Sequence, residues 1–503
     1  MLSSIKQFLK EINYSLLAII IIAFIARLII AIKYGDFWFD EMFSFTYSQR
    51  PWSESFKFWL WETNPPLHMI MLKFWFYIFP AKEFFARLPS VIAGTASVYA
   101  IYLLAKEIFN KKIALLSSLC LAFQTYNIFW SATARIYSTL MLLSILSTLY
   151  FYKIFIKKVS NDSTSHKYFA FINFLLIFSH LSSLFLLTGQ FITLIITSSK
   201  KDAWHWIKIN IIPFILGAIW IGTSFYIKLN NELSNSWFIN LDHNIFSALK
   251  TLSFIIVGMF SNISAIALVC VIGIMISYSI YKESRNNKKE LKTLTLLTTI
   301  PILIPFLLGV WNVKFIIEVL PLFSIILPYS LILIFEYQLV ASVMIISISF
   351  FSYFNLLKVL PQTNWQETIN LINTNSILNN SAVIYNSFVL KPEVDYYHLS
   401  QKLMRPIIPL TLYENISWDD MIIKKNYVYK KLTEAEKDIW YQKNLLDKYD
   451  NITLLQGEDD HLNELNNLLI RHNFRLIKEP IRAPILNKFN LYFYEKNKGT
   501  IVK

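Results

Sequence analysis

The first apolar stretch of the chain, YSLLAIIIIAFIARLIIAIKYGDFWFDE (residues 14–41), runs directly into a polar, aromatic-rich loop. A helix needs roughly twenty apolar residues to cross a hydrocarbon core of about 30 Å, and this stretch supplies them. Lys6 and Lys10 precede it, but it is too long for a signal-peptide core and lacks a small-residue cleavage site. We therefore expect an uncleaved anchor with its N-terminus in the cytoplasm.

Similar apolar stretches recur up to residue 360. The chain is 55% hydrophobic and only 16% charged, against about a quarter charged in soluble proteins. The predicted spans are 13–34, 84–105, 113–130, 136–156, 168–180, 182–198, 206–227, 262–281, 291–310, 315–336 and 339–356. The sequence thus predicts an α-helical polytopic membrane protein with about 11–13 transmembrane helices.

The last third of the chain has a different composition. Residues 361–503 are rich in Lys, Asp, Glu and Asn, and contain short apolar runs at 382–385, 427–429, 452–455 and 491–494. Helix-like stretches, 365–378 and 461–471, lie between them. This alternation predicts a small soluble α/β domain over 361–503, after a membrane domain over 1–360. It has no Gly-rich phosphate loop, which argues against nucleotide binding.

The formal net charge of +14 does not indicate a nucleic-acid partner, because the cations concentrate in short loops between apolar runs. Such loops are cytoplasmic under the positive-inside rule. The rule is satisfied only if the short segment 65–80, which opens with Pro65-Pro66, does not cross the bilayer. We expect that segment to be a partial or interfacial helix, and 246–259 to lie flat on the outer face. The loops 35–64 and 131–135 and the C-terminal domain then lie outside a plasma (inner) membrane.

Two features could carry chemistry on the outer side. Asp40 and Glu41 stand beside Trp38 and Phe39, where a partly shielded carboxylate suits general-base work, although solvated loop carboxylates would look the same. Cations at span ends could hold a phosphate, although each could also merely reach the interface. These cations are Arg87, Arg135 and Lys314.

His180 interrupts an apolar run of about thirty residues, which makes it a functional candidate or the tip of a hairpin turn. The two cysteines, Cys120 and Cys270, lie in apolar runs and offer neither a disulfide framework nor a metal cluster.

The order of these motifs resembles the protein O-mannosyltransferase superfamily of GT-C-fold membrane glycosyltransferases, including relatives of lipid A aminoarabinose transferase. The resemblance covers nearly the whole chain. Its motifs are Asp40-Glu41, Asn64-Pro65-Pro66-Leu67, Ala86-Arg87-Leu88-Pro89, Ala134-Arg135-Ile136-Tyr137-Ser138, Ser179-His180 with Leu184 to Leu187 and Gln190, Lys314 before Leu320-Pro321, and Asn364-Trp365-Gln366-Glu367.

The resemblance implies transfer of a sugar from a polyprenyl phosphate to a protein, lipid or glycan acceptor, usually with inversion. It implies that Asp40 is the base, with Glu41 beside it. Arg135, Lys314 and Arg87 would bind the donor phosphate. The remaining substrate-binding candidates are Asn64, His68, Tyr137 and His180.

Two positions depart from the family pattern. Asn64 stands where His or Lys is common, which makes metal-binding or lysine-dependent variants doubtful. Lys314 stands where Arg is common, which keeps the charge but loses the bidentate fork. No metal site is predicted; no cofactor is certain, and a divalent metal remains open. The main alternative is a transporter or flippase of a lipid-linked substrate, although no inverted repeat is evident. A non-catalytic partner protein is a further alternative.

Overall fold

The structure of the protein, a computed structural model, describes most of the chain. The described residues are 13–62, 64–159, 162–229, 244–257, 263–284, 289–359, 363–375, 380–403, 405–410, 433–457, 461–483 and 489–497. The short apolar run predicted at 427–429 lies outside these ranges.

The part of the chain before residue 360 is helical. Its helices are α1 (Tyr14–Lys33), α2 (Phe39–Gln49), α3 (Trp52–Trp61), α4 (Leu67–Trp75), α5 (Glu83–Ile108), α6 (Lys111–Phe123), α7 (Thr125–Ser131), α8 (Tyr137–Phe151, continued by a π-helix over Tyr152–Ile156), α9 (Ser163–Ile177), α10 (Ser183–Thr197), α11 (Lys200–Leu229), α12 (Ile245–Val257), α13 (Ile263–Ser284), α14 (Lys289–Leu307), α15 (Leu320–Phe335) and α16 (Gln338–Val359). Two 3₁₀ turns, Val313–Phe315 and Ile317–Val319, precede α15.

Seven of the described helices are long and apolar enough to cross a membrane, or eight if the bent pair α6 and α7 forms one span. Each of the eleven predicted spans contains a helix, but not all reach that length. Helices α9 and α10 have 15 residues each, which gives about 22 Å. The nine residues of α4 give about 14 Å, in keeping with the partial helix expected over 65–80. The protein is a multi-pass membrane protein, as the sequence predicted.

Buried polar side chains tie α8 to α11 together. Ser147 Oγ donates to Asn173 Oδ1 over 2.6 Å, and Asn173 Nδ2 donates to Asn210 Oδ1 over 2.7 Å. Gln190 Nε2 donates to Ser147 Oγ, while its Oε1 accepts from Trp206 Nε1. Hydrogen bonds between helices hold polar groups that hydrocarbon cannot satisfy. Gln190, a motif residue of the resemblance, therefore has a structural role in this network.

The described C-terminal residues form an α/β domain, as predicted. Its elements are α17 (Trp365–Asn375), β1 (Ser381–Asn386), α18 (Ser387–Tyr396), α19 (Leu399–Lys402), β2 (Ile407–Leu410), α20 (Glu434–Lys443), a 3₁₀ turn (Leu446–Lys448), β3 (Asn451–Gly457), α21 (His461–Arg471), β4 (Phe474–Leu476), β5 (Ile481–Arg482) and β6 (Phe489–Lys496). The strand order is β2-β1-β3-β6-β4, with β5 beside β6. The pairs β1–β2 and β1–β3 are parallel, and β6 runs antiparallel to its neighbours.

Alternate residues of the strands enter two apolar cores. Ala382 and Ile384 of β1 lie in one core, while Val383 and Tyr385 lie in the other. This period-two pattern is that of a strand covered on both faces.

The chain divides into two compact units. The first comprises Met1–Lys33, Glu62–Tyr226 and Ser234–Leu360, and the second comprises Tyr34–Trp61, Ile227–Leu233 and Pro361–Lys503. The last segment of the second unit begins at Pro361. The first polar loop, by contrast, groups with the C-terminal domain and not with the helices that flank it.

Candidate active site

The carboxylates Asp40 and Glu41 lie in the first turn of α2, within the second unit. Glu41 is fully buried, whereas Asp40 is half-buried. Acidic residues in a first helical turn also favour the helix dipole, so this position has a structural explanation as well. Helix α2 packs against α18, and the ring centroids of Phe45 and Tyr396 lie 5.3 Å apart.

Residues just before α2 attach it to the C-terminal domain. The Asp36 amide donates to the Thr363 carbonyl oxygen over 2.9 Å, and the Phe37 amide donates to the Tyr397 hydroxyl over 2.7 Å. Gly35 has a φ of +78°, and a Cβ there would lie 2.4 Å from the Thr363 oxygen. Only glycine fits this backbone and this approach. The segment that leads into α2, and so to Asp40, is therefore held by backbone amides that donate to the C-terminal domain.

In the first unit, the helix pair α6 and α7 is bent by 58°. Buried Arg27 of α1 donates to the carbonyl oxygen of Ala122 over 2.9 Å and to Asn127 Oδ1 over 2.5 Å. The last carbonyls of a helix have no partner within the helix, so the guanidinium satisfies groups that the bend leaves open. The bend directs the end of α7 into the turn that carries Arg135.

Arg135 sits in a tight turn between α7 and α8. Its amide donates to the Thr133 carbonyl oxygen over 2.8 Å, and its own carbonyl oxygen accepts from Ser90 Oγ over 3.1 Å. Arg87 lies one turn before Ser90 on α5. It is buried, and its Nη1 donates to the Ala31 carbonyl oxygen over 3.2 Å. Arg87 thus binds the C-terminal end of α1, a structural role that does not depend on a substrate.

His180 lies in the break between α9 and α10. Ser179 Oγ turns back to the Leu176 carbonyl oxygen, and the Leu67 amide at the start of α4 donates to the Phe178 carbonyl oxygen over 3.1 Å. The break is therefore packed against the short helix α4, and His180 is buried within it. The predicted interruption of the apolar run is a real turn.

Lys314 lies near the start of α8, close to the helix break that contains His180. Its Nζ lies 5.8 Å from the centroid of Trp130 and 5.9 Å from that of Tyr137, within cation–π range. The Tyr137 ring is 5.7 Å from the His180 ring. Lys314 and Arg135 are also close enough to His180 for both charges to act on its ring. We call Arg135, Tyr137, His180 and Lys314 the cationic cluster.

The two remaining predicted residues differ in their surroundings. His68 on α4 is buried, near the Ala134 carbonyl and within reach of the Arg135 charge. It therefore borders the cationic cluster. Asn64 lies in the loop before α4, where its Nδ2 donates to Glu62 Oε1 over 3.4 Å.

Two residues absent from the predicted site reach His180. Ser182 Oγ is 2.8 Å from His180 Nδ1 and 3.1 Å from Glu318 Oε2. A feature of the sequence could have identified Glu318. It is a single acid in an apolar stretch just before Leu320, where a charged residue is a functional candidate by default. No feature of the sequence singles out Ser182, since serine is common in helix breaks.

Within the described ranges, no group of three or more His, Cys, Asp or Glu side chains could hold a metal ion. In the cationic cluster, the guanidinium of Arg135 and the ammonium of Lys314 supply hydrogen-bond donors only, which suits an anionic ligand.

Comparison with known proteins gives two kinds of match. Residues 63–221, under a third of the chain, match the family model described as dolichyl-phosphate-mannose-protein mannosyltransferase. This segment contains Arg87, Arg135 and His180. No match was found among curated protein sequences.

Solved structures match over most of the chain at low identity. ArnT from Cupriavidus metallidurans in the apo state has 11% identity and a TM-score of 0.57, with 95% of this chain and 97% of that chain covered. ArnT bound to undecaprenyl phosphate gives a TM-score of 0.56 at the same identity and coverage. The Archaeoglobus fulgidus oligosaccharyltransferase AglB, in complex with an inhibitory peptide and a dolichol-phosphate, has 11% identity and a TM-score of 0.52, with coverage of 88% and 69%. The chain therefore has the GT-C fold, and the predicted fold class is confirmed.

Proposed function

We propose that this protein is a glycosyltransferase that moves a sugar from a polyprenyl phosphate to an acceptor hydroxyl at the outer face of the membrane. The observation that carries the proposal is the cationic cluster. The Lys314 ammonium lies 5.9 Å from the centroid of the Tyr137 ring, that ring lies 5.7 Å from the His180 ring, and Arg135 precedes Tyr137 by two residues in the turn before α8. The matched relatives support the donor class, since one was solved with undecaprenyl phosphate and another with a dolichol-phosphate.

The physical argument concerns the leaving group. A lipid phosphate carries its charge at the membrane surface, where partial loss of water makes an unpaired anion costly. Half-buried Arg135 and Lys314 offset that cost. They also stabilise the charge that grows on the phosphate as its bond to the sugar breaks.

The proposed reaction is a single displacement. The acceptor oxygen forms a bond to the anomeric carbon while the bond from that carbon to the phosphate oxygen breaks. Asp40 takes the acceptor proton, and polyprenyl phosphate leaves. The role of Asp40 rests on its motif position, and a placed base contributes about 10²–10⁴ in rate. The acceptor is a protein, lipid or glycan, and the active side and the C-terminal domain face away from the cytoplasm of a plasma (inner) membrane.

The test is an assay of the purified full chain in detergent with a panel of polyprenyl-phosphate sugars and a membrane extract as acceptor source. We expect free polyprenyl phosphate to appear together with a glycosylated product. Intact donor that moves between the leaflets of liposomes, with no free polyprenyl phosphate, would instead identify a flippase.

A further inference from the structure

A buried chain of three side chains connects two breaks in the helices. Ser182 Oγ lies between His180 Nδ1 and Glu318 Oε2, at 2.8 Å and 3.1 Å. The three residues are 3%, 2% and 1% exposed in the order His180, Ser182, Glu318. Ser182 precedes α10, and Glu318 lies in the 3₁₀ turn before α15. These three hydrogen-bonded side chains therefore join the cationic cluster through His180, which is a member of both.

A hydrogen bond from the backbone amide of Ser182 shows where the protons lie in this row of three side chains. The Ser182 amide donates to His180 Nδ1 over 3.2 Å, so this nitrogen accepts and carries no proton. The contact of 2.8 Å between Ser182 Oγ and the same nitrogen then needs the single hydroxyl proton between them. With that proton used, Ser182 Oγ accepts from Glu318, which must be protonated to donate.

The surroundings of Glu318 agree with a neutral acid. Its Oε1 is buried without a hydrogen-bond partner, and no ion pair of Glu318 occurs among the residues that the structure describes. A buried carboxylate anion in this position would cost more than a neutral carboxylic acid. Glu318 as donor leaves the neutral His180 ring with its proton on Nε2.

We propose that Glu318 and Ser182 are positioning residues that hold His180 neutral, with Nε2–H as a hydrogen-bond donor to the donor's phosphate. The inference rests on the proposed function. A neutral donor suits this place because Arg135 and Lys314 already act on the ring, and a third positive charge would repel both. His180 would thus add a directed hydrogen bond to a site whose charge the other two supply.

The probe is undecaprenyl phosphate, titrated against the purified full chain in detergent micelles, so that binding is read without turnover. Ser182→Ala and Glu318→Ala each break the hydrogen-bonded connection from Glu318 to His180. Each is expected to weaken binding of undecaprenyl phosphate about tenfold, as loss of one oriented hydrogen bond to a charged group would. Ser183→Ala is the matched control, because the buried Ser183 hydroxyl has no partner within the described residues. It should bind like the wild type.

Conservative variants separate positioning from folding. Glu318→Gln retains an N–H donor for Ser182 and should weaken binding by less than about threefold. Ser182→Thr keeps the hydroxyl, and His180→Gln keeps a donor near the Nε2 position. The affinity of both variants for undecaprenyl phosphate should therefore lie between that of the wild type and those of the alanine variants. In the transfer assay, Ser182→Ala should raise the KM for the donor and leave that for the acceptor unchanged. A general packing defect would affect both.

Four outcomes are informative. Weak binding by both alanine variants, with rescue by Glu318→Gln, supports the inference. A Glu318→Gln variant as defective as Glu318→Ala overturns it, since Glu318 would then act as an anion. Wild-type binding by Ser182→Ala and Glu318→Ala overturns the inference and leaves the proposed function intact, whereas a wild type that does not bind the probe overturns both.

Discussion

A carboxylate oxygen of Asp36 accepts a hydrogen bond from the backbone amide of Trp365, 2.7 Å away and 329 residues later in the chain. This amide belongs to the first residue of α17, so Asp36 acts as a cap supplied by a distant loop. Asp36, an acid of the same loop as Asp40 and Glu41, thus has a structural task.

We expect Asp36→Ala to lower the free energy of unfolding by about 1 kcal/mol, the usual value of a helix cap. Asp36→Asn retains an acceptor oxygen and should cost less. Thermal unfolding of the full chain in detergent measures both. A large loss of transfer at unchanged stability would instead give Asp36 a part in the chemistry.

Asp40→Asn should reduce turnover by about 10²–10⁴, because the amide cannot take the acceptor proton. Loss of the charge from the first turn of α2 should lower the free energy of unfolding by only about 0.3–1 kcal/mol. Release of polyprenyl phosphate in the presence of acceptor is the measurement, and Asp36→Asn is the matched control from the same loop. Near-normal turnover in Asp40→Asn would refute the assignment of Asp40 as the base and make Glu41 the next candidate.

Arg135→Ala should weaken use of the donor more than use of the acceptor, by about 2–4 kcal/mol in transition-state terms. Lys314→Ala should cost less, because one ammonium lacks the paired fork of a guanidinium. Steady-state kinetics with donor and acceptor varied separately decide this, with exposed Lys82→Ala as the cation control. A change confined to the acceptor would move the phosphate site elsewhere.

The C-terminal domain should show a pH-dependent stability that originates in Glu393. Burial raises the pKa of Glu393 from 4.5 to about 8. Between these two values the folded state holds a proton that the unfolded state releases, so stability falls as pH rises toward 8. Glu393→Gln should remove this slope and raise the free energy of unfolding at pH 8 by about 1–3 kcal/mol.

Unfolding of the full chain at pH 5 and pH 8 is the measurement. Asp395→Asn, an exposed acid on the same helix, is the control and should retain the slope. An identical pH dependence in Glu393→Gln and the wild type would show that another group controls it.

Cysteine labelling tests the proposed orientation. On a background without Cys120 and Cys270, Lys111→Cys and Lys158→Cys should be labelled only after the membrane is permeabilised, because their loops are expected to be cytoplasmic. A cysteine in the C-terminal domain should be labelled in intact cells. Labelling of position 111 from outside would mean that 65–80 crosses the bilayer and that the charge argument failed.

The sequence by itself determined that the first 360 residues form apolar helices of a multi-pass membrane protein and that a small α/β domain follows. Apolar length and period are local properties, so the span at 13–34 and the apolar run at 452–455 could be read directly from the chain. The break at His180 was visible for the same reason, since one polar residue interrupted a continuous apolar run.

Only the tertiary structure decided which of these residues meet. Arg87 and Arg135 look alike as span-end cations, yet Arg87 binds the end of α1, while Arg135 acts on His180. Glu318 reaches His180 through Ser182, from which it is separated by 136 residues of chain. Hydrogen bonds over such separations depend on how helices pack and where they bend, and no local pattern encodes the partner.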